Sequence, residues 1–277
     1  MRKLLVATAL ALLASTAYAD FDQGQAAYEK KDYAQALKEW KPLADKGNPR
    51  AQNGLGDIYT LGQGVSADQA QALQWYQRAA KQGFALAEYN VGIMYESGQG
   101  VPQSDSDAFK WYHSSADHGY AKAQNRIADM YVQGVGAAQD FQQAMNWYRK
   151  AAAQGSADAQ VGLGFMYVMG KGVEQNYETA FALFNKAAAK EQPFAQNMLG
   201  YMYAEGLGVK QDYAQALEWR RKASDQDLPE AQFDLGTMYE KGQGVKQDYV
   251  KAVELFRRAS AQGFAPAKES LDRYTAK

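Results

Sequence analysis

The feature that most restricts what this chain can become is a Gly-x-Gly pair that returns every 36 residues, at Gly62/Gly64, Gly98/Gly100, Gly134/Gly136, Gly170/Gly172, Gly206/Gly208 and Gly242/Gly244. A tyrosine stands three residues before each pair (Tyr59, Tyr95, Tyr131, Tyr167, Tyr203, Tyr239), and an alanine opens each preceding segment (Ala51, Ala87, Ala123, Ala159, Ala195, Ala231, Ala267). Six copies without a slip of register argue against one globular core. They predict a solenoid, in which each unit has an apolar face it cannot bury alone and stacking on neighbours supplies the core.

Each full unit, 47–82, 83–118, 119–154, 155–190, 191–226 and 227–262, reads as two helices. In the first, helix A is expected from Pro49 to Leu61, with Ala51, Leu55, Ile58 and Tyr59 on one side at helical spacing. Pro49, Pro193 and Pro229 share a column at the helix start, where the missing N–H costs nothing. Gly62 is expected to end helix A as a left-handed C-cap. Helix B starts after a column of N-cap residues, Asp68, Ser104, Asp140, Asn176, Asp212 and Asp248. It carries Ala72, Trp75, Tyr76, Ala79 and Ala80 on one face, with Lys and Arg near its end as the helix dipole favours. A small column (Gly56, Gly92, Ala128, Gly164, Gly200, Gly236) should let helix B approach helix A closely. A large column (Tyr76, Tyr112, Tyr148, Phe184, Arg220, Phe256) is expected to fill the gap between units, the Arg220 stem covering apolar surface.

The ends depart from the pattern. Residues 20–46 form a shorter unit in which Asp32-Tyr33 and Ala36-Leu37 match Asp212-Tyr213 and Ala216-Leu217; without Gly-x-Gly, its helices should meet in a tighter turn. Residues 263–277 should form a C-terminal capping helix, its Lys268, Glu269, Asp272, Arg273 and Lys277 keeping the end soluble and the protein monomeric. Before all this stands MRKLLVATALALLASTAYAD: basic Arg2 and Lys3, an apolar run from Leu4 to Ala14 too short to span a bilayer, then Ala17-Tyr18-Ala19. That order is a signal peptide over 1–19, cleaved after Ala19, and sends the mature chain to the periplasm or outside the cell. The alternative is a buried N-terminal helix.

The pattern A-x-x-x-L-G-x-x-Y, G-x-G-V, D-Y-x-x-A-x-x-W-Y-x-x-A-A is met nearly throughout, most clearly from Ala159 to Ala188. It resembles the Sel-one-like repeat (SLR), a relative of the tetratricopeptide repeat, over essentially all of the mature chain; residues 20–46 are similar to an ordinary tetratricopeptide unit. The resemblance implies an all-α solenoid, an α/α superhelix of helical hairpins, used as a protein-binding scaffold. Exported bacterial members are typically adaptors, regulators of envelope systems or host-facing factors. Some cysteine-rich members bind or hydrolyse β-lactams; this chain has no cysteine, so that activity is not carried over.

Composition closes several routes to chemistry. A net charge of -1 offers no basic field to nucleic acid, and without cysteine there is neither a disulfide nor a thiolate. His113 and His118 are five residues apart, which does not put both rings on one helical face, and their columns are otherwise polar, so both should be solvated. The Gly-x-Gly loops lack a preceding strand and the lysine of a phosphate cradle. Asp57 and Asp129 share a column two units apart and do not converge as an acid–base pair. No catalytic residue, metal ligand or cofactor is predicted.

The repeats disagree where a partner would bind. Columns 53, 57 and 60 lie opposite the packing face of helix A, the side that lines the concave groove in tetratricopeptide-type folds. The first unit has Asn53, Asp57 and Thr60 there, the second Tyr89 and Ile93, the third Asn125, Asp129 and Val132, and units four to six are the apolar ones. Tyr89, Ile93, Val161, Phe165, Val168, Met169, Tyr201 and Phe233 are therefore the candidate partner-binding residues. The alternative is that curvature of the array buries them against neighbouring helices. The reading is an exported, non-enzymatic scaffold that grips a protein or peptide; the competing one is a periplasmic enzyme acting on cell-wall or β-lactam substrates.

Overall fold

The computed structural model describes residues 21–275; the leader expected at 1–19, Asp20 and Lys277 lie outside the described residues. Every regular element among them is a helix. The helical run at 21–29 (α1) precedes α2 (Tyr33–Asp45). Then come α3 (Pro49–Leu61) with α4 (Gln69–Ala80), α5 (Ala85–Ser97) with α6 (Asp105–Asp117), and α7 (Ala121–Gln133). These belong to a first compact unit that ends at Gln139. A second, from Asp140, holds α8 (Phe141–Ala153), α9 (Ala157–Met169) with α10 (Tyr177–Ala188), α11 (Pro193–Glu205) with α12 (Tyr213–Asp225), α13 (Pro229–Lys241) with α14 (Tyr249–Ala261), and α15 (Ala265–Thr275).

The capping signals act where the sequence puts them. Asp68, Ser104, Asp140, Asn176, Asp212 and Asp248 each accept from a backbone N–H two or three residues on, satisfying donors the helix leaves orphaned. Gly62 closes α3 in the left-handed region at φ 67°, and its N–H reaches the Ile58 carbonyl. The loop is then pinned back onto helix A, because the N-cap N–H donates to the carbonyl of the repeat tyrosine: Asp68 to Tyr59, Ser104 to Tyr95, Asn176 to Tyr167, Asp212 to Tyr203 and Asp248 to Tyr239, all at 2.9–3.0 Å. The second glycine serves the stacking. Gly172, at φ 68°, lies so close to Phe141, the first residue of the preceding helix B, that a Cβ there would come within 2.8 Å of its carbonyl oxygen. The spacing of 36 thus joins a helix cap to an inter-repeat contact.

The small column gives the expected close approach. A Cβ at Gly92 would meet the Tyr112 ring at 2.6 Å, one at Gly164 the Phe184 ring at 2.6 Å, and one at Gly200 the Arg220 Cγ at 2.6 Å. The large column serves both sides. Tyr76, Tyr112, Phe184, Arg220 and Phe256 seat on the glycine of their own repeat, and Tyr76 and Phe184 also share a buried cluster with the next repeat's Ala87, Val91 and Met94 or Ala195, Leu199 and Met202. Each is buried, and each buried ring contributes about 1.5–3 kcal/mol.

At the first hairpin, Lys31 takes a left-handed φ of 63° and Asp32 caps α2, so a short turn replaces the Gly-x-Gly loop. At the other end Lys268, Glu269, Asp272 and Arg273 are exposed on α15.

Candidate functional site

A second set of contacts clamps the start of helix A to the end of helix B within a repeat. Buried Gln52 donates to the Ala44 carbonyl at 2.9 Å and accepts from Gln82 at 2.8 Å. Gln196 accepts from Gln226 at 2.9 Å, and Gln232 from Gln262 at 3.0 Å. In the second repeat the same two columns hold Glu88 and His118. Glu88 is 2% exposed; its carboxylate accepts from Ser114 at 2.7 Å and meets His118 Nδ1 at 2.8 Å. The hydrogen bond to Glu88, then its charge, raises the His118 pKa. The expectation of a fully solvated His118 is corrected: it is the half-exposed partner of a buried acid. His113 is partly exposed and pairs with Asp117 at 2.9 Å.

The helix-A face opposite the clamps differs between the two units. In the first, the large column carries hydroxyls that meet acids. Tyr76 donates to Asp57 Oδ1 at 2.7 Å, and Asn53 donates to Asp57 Oδ2 at 3.2 Å. Burial raises the Asp57 pKa, and burial followed by the Asp57 charge pushes the Tyr76 phenol far up. One repeat on, Tyr112 donates to Glu96 at 2.5 Å, and the Arg126 guanidinium pairs with the same carboxylate. A cavity of about 470 Å³ opens beside Asp57, between Tyr28, Trp40, Arg50, Phe84 and Leu86.

In the second unit the same places are largely apolar. Phe165 stands edge-on to Phe184 with ring centroids 5.5 Å apart, and Phe233 lies 5.5 Å from both Phe256 and Phe264. The exception is the fifth repeat, where Arg220 reaches toward Asp234.

The structure divides the candidate residues. Val161 is a core residue at 9% exposure. Tyr89, Phe165, Val168 and Phe233 are half-buried, each with one side of the residue packed. Ile93, Tyr201 and Met169 are exposed, at 38%, 40% and 59%. Column 53 is partly interior, since Asn53 and Asn197 are also buried, and it is column 57, at Ile93 and Tyr201, that reaches the surface. The clamps and the tyrosine–acid pairs were missed in the sequence; the matched changes at 88 and 118 against glutamine elsewhere were the signal that could have revealed one of them. Among the described residues, no three His, Asp or Glu side chains are grouped to hold a metal ion, and no helix is long and apolar enough to cross a membrane.

Comparison with known proteins agrees with the repeat pattern. The Sel1 repeat family model matches residues 49–84, 85–120, 121–156, 157–191, 193–228 and 229–264. A solved Sel1 repeat protein from Oxalobacter formigenes is 32% identical over 87% of this chain and 96% of its own, with a TM-score of 0.82. A protective antigen present in uropathogenic Escherichia coli strains, with an SLR fold, is 33% identical over 96% of this chain, with a TM-score of 0.81; the match spans 58% of that protein's length. No curated protein is similar enough to count as a match.

Proposed function

Given that this chain belongs to the Sel1-repeat family, we propose that it is an exported, non-enzymatic scaffold that holds a protein or peptide partner against the helix-A faces of its repeats. The observation that carries the reading is the surface of the second unit. On helix A of the fourth and fifth repeats Met169 and Tyr201 are exposed and Phe165 and Val168 half-buried. Exposed apolar side chains such as these are not needed to fill the core, and they suit a partner's apolar anchors.

Location rests on the leader, whose basic start, apolar run and Ala17-Tyr18-Ala19 have the order of a cleaved signal. That the Escherichia coli relative is a protective antigen supports a place outside the cytoplasm. The work done there is that of an adaptor or regulator, by binding rather than by chemistry, and the scaffold acts as a monomer.

A photo-crosslinking side chain at Tyr201, with a control at exposed Glu218 on α12, tests the proposal in intact cells. One discrete protein captured at Tyr201 and not at Glu218 is the expected result. Equal capture at both positions, or none from folded protein, would sink the groove reading.

A further inference from the structure

Asp57 is a half-buried acid with neutral partners. Two other half-buried acids of the array face cations of the chain: Glu96 pairs with the Arg126 guanidinium, and Asp234 has Arg220 3.9 Å away. Asp57 accepts from the Tyr76 hydroxyl at 2.7 Å and from the Asn53 amide at 3.2 Å, and among the described residues no lysine or arginine pairs with it. Burial raises its pKa against the Tyr76 hydrogen bond; at Asp234, burial is opposed first by the Arg220 charge. A carboxylate withdrawn from water is costly without a counter-charge, and neutral donors offset only part of that cost.

Asp57 also faces open space. It lines the cavity of about 470 Å³, whose walls include Tyr28, Trp40 and Phe84. The Tyr28 and Trp40 rings stand with centroids 5.4 Å apart. Exposed Glu29 and Arg50 line the same cavity, and the Arg50 guanidinium lies 4.2 Å from the centre of the Phe21 ring in its wall. One aromatic face thus already receives a cation, while the acid inside has none.

We propose that this cavity is a subsite for a lysine side chain of the partner, its ammonium donating to the Asp57 carboxylate and its stem lying against Tyr28, Trp40 and Phe84. This rests on the reading that the partner is a protein or peptide, and is independent of the apolar positions of the second unit. Each Asp57 oxygen already accepts one hydrogen bond, and a carboxylate has lone pairs for about two more. Aromatic walls attract a cation and cover an aliphatic stem. Charge excludes an anion, since Asp57 and Glu29 both oppose it and Arg50 balances only one of them. Lysine suits the place better than arginine. With one acceptor site on each oxygen taken, the paired fork of a guanidinium has no free edge to meet, whereas an ammonium needs a single lone pair.

Nα-acetyl-lysine methylamide, titrated into the protein, is the probe. The Trp40 indole N–H, which donates to the Phe21 carbonyl at 3.1 Å in the cavity wall, is the reporter, with Trp147 and Trp219 of the second unit as controls. The Trp40 resonance should shift and saturate while the controls stay in place. The Nε-acetylated derivative, which has the same stem and no charge, should bind at least about tenfold more weakly, a contrast that needs no variant to fold. Asp57→Asn should also lose about tenfold or more, and Glu29→Gln, on the exposed rim, less than about threefold. Equal shifts from the two lysine derivatives, or an unmoved Trp40, would overturn the inference. So would a loss with Glu29→Gln as large as with Asp57→Asn, which would mean that a diffuse surface field holds the cation. Tighter binding by the arginine counterpart would overturn the choice of lysine, and tighter binding by the glutamate counterpart would transfer the site to Arg50. Crosslinking at Tyr201 reads the groove separately, so either proposal can fall without the other.

Discussion

The first and second compact units share a helical repeat and differ in what meets the large side chain of helix B. Where helix B crosses the glycine of helix A, the first unit places a tyrosine against an acid, Tyr76 on Asp57 and Tyr112 on Glu96. In two repeats of the second, phenylalanine stands against phenylalanine, Phe184 on Phe165 and Phe256 on Phe233, while the fifth repeat turns Arg220 toward Asp234. Both solutions fill the same gap. The polar one gains direction from a hydrogen bond and must keep a half-buried acid satisfied. The apolar one needs no partner and leaves ring edges and neighbouring side chains available at the surface. A repeat array can therefore vary its chemistry along its length without changing its fold, provided both members of a facing pair change together.

The sharpest way to break that comparison is to transplant one pair. Phe165→Asp alone puts a carboxylate against the Phe184 ring and should destabilise by about 3 kcal/mol. Phe184→Tyr alone buries a hydroxyl with no acceptor and should cost about 2 kcal/mol. The double variant rebuilds the Asp57–Tyr76 arrangement at the equivalent positions, so the two losses should fall short of additive by about 1–2 kcal/mol in urea melts. Strict additivity would mean that the pairing seen in the first unit is incidental.

The complementary test asks whether the backbone is as uniform as the side chains are not. Gly64→Ala in the first unit and Gly172→Ala in the second each put a Cβ on a left-handed residue, at φ 73° and 68°, within 2.9 Å and 2.8 Å of the first residue of the preceding helix B. Each should cost about 2 kcal/mol, and the two should agree. A large disparity would show that the units differ in their loops as well as in the facing pairs.

Much of this was legible beforehand because repeats act as their own controls. The helix limits Pro49 to Leu61, the N-cap column and the left-handed Gly62 follow from residue type and spacing, since caps and chain reversals are decided locally. That Tyr76 lies on Gly56 as well as against the next repeat is not legible, because a residue's column says which face it is on, not which of two flanking helices that face meets. The groove was half legible for the same reason. Phe165 and Val161 look equivalent in a column analysis, but the packing makes one half-exposed and the other core. Arg220 was visible as an exception; that its head turns toward Asp234 required the position of that carboxylate.

The smallest effect separates the repeats by pH. Between helix-end positions 52 and 82 and their equivalents, glutamine meets glutamine at Gln52–Gln82, Gln196–Gln226 and Gln232–Gln262, which no proton can alter. The second repeat has Glu88 and His118 instead. Glu88 on α5 and Asp117 on the histidine's own helix raise the His118 pKa in the fold, and the turn beside it presents Gly83, which carries no charge. A histidine whose folded pKa exceeds its unfolded one adds stability that is complete below the unfolded value, about 6.5, and is lost as pH rises through the folded value. The side chain is 48% exposed, so solvent screening should hold the gain below about 1 kcal/mol. Converting both residues, Glu88→Gln with His118→Gln, installs the pair used by the sister repeats. Urea midpoints followed from about pH 6 to about pH 8.5 should then fall more steeply for wild type than for the double variant. Parallel profiles would mean that the proton on His118 does not contribute to the clamp and that the second repeat differs from its neighbours in composition alone.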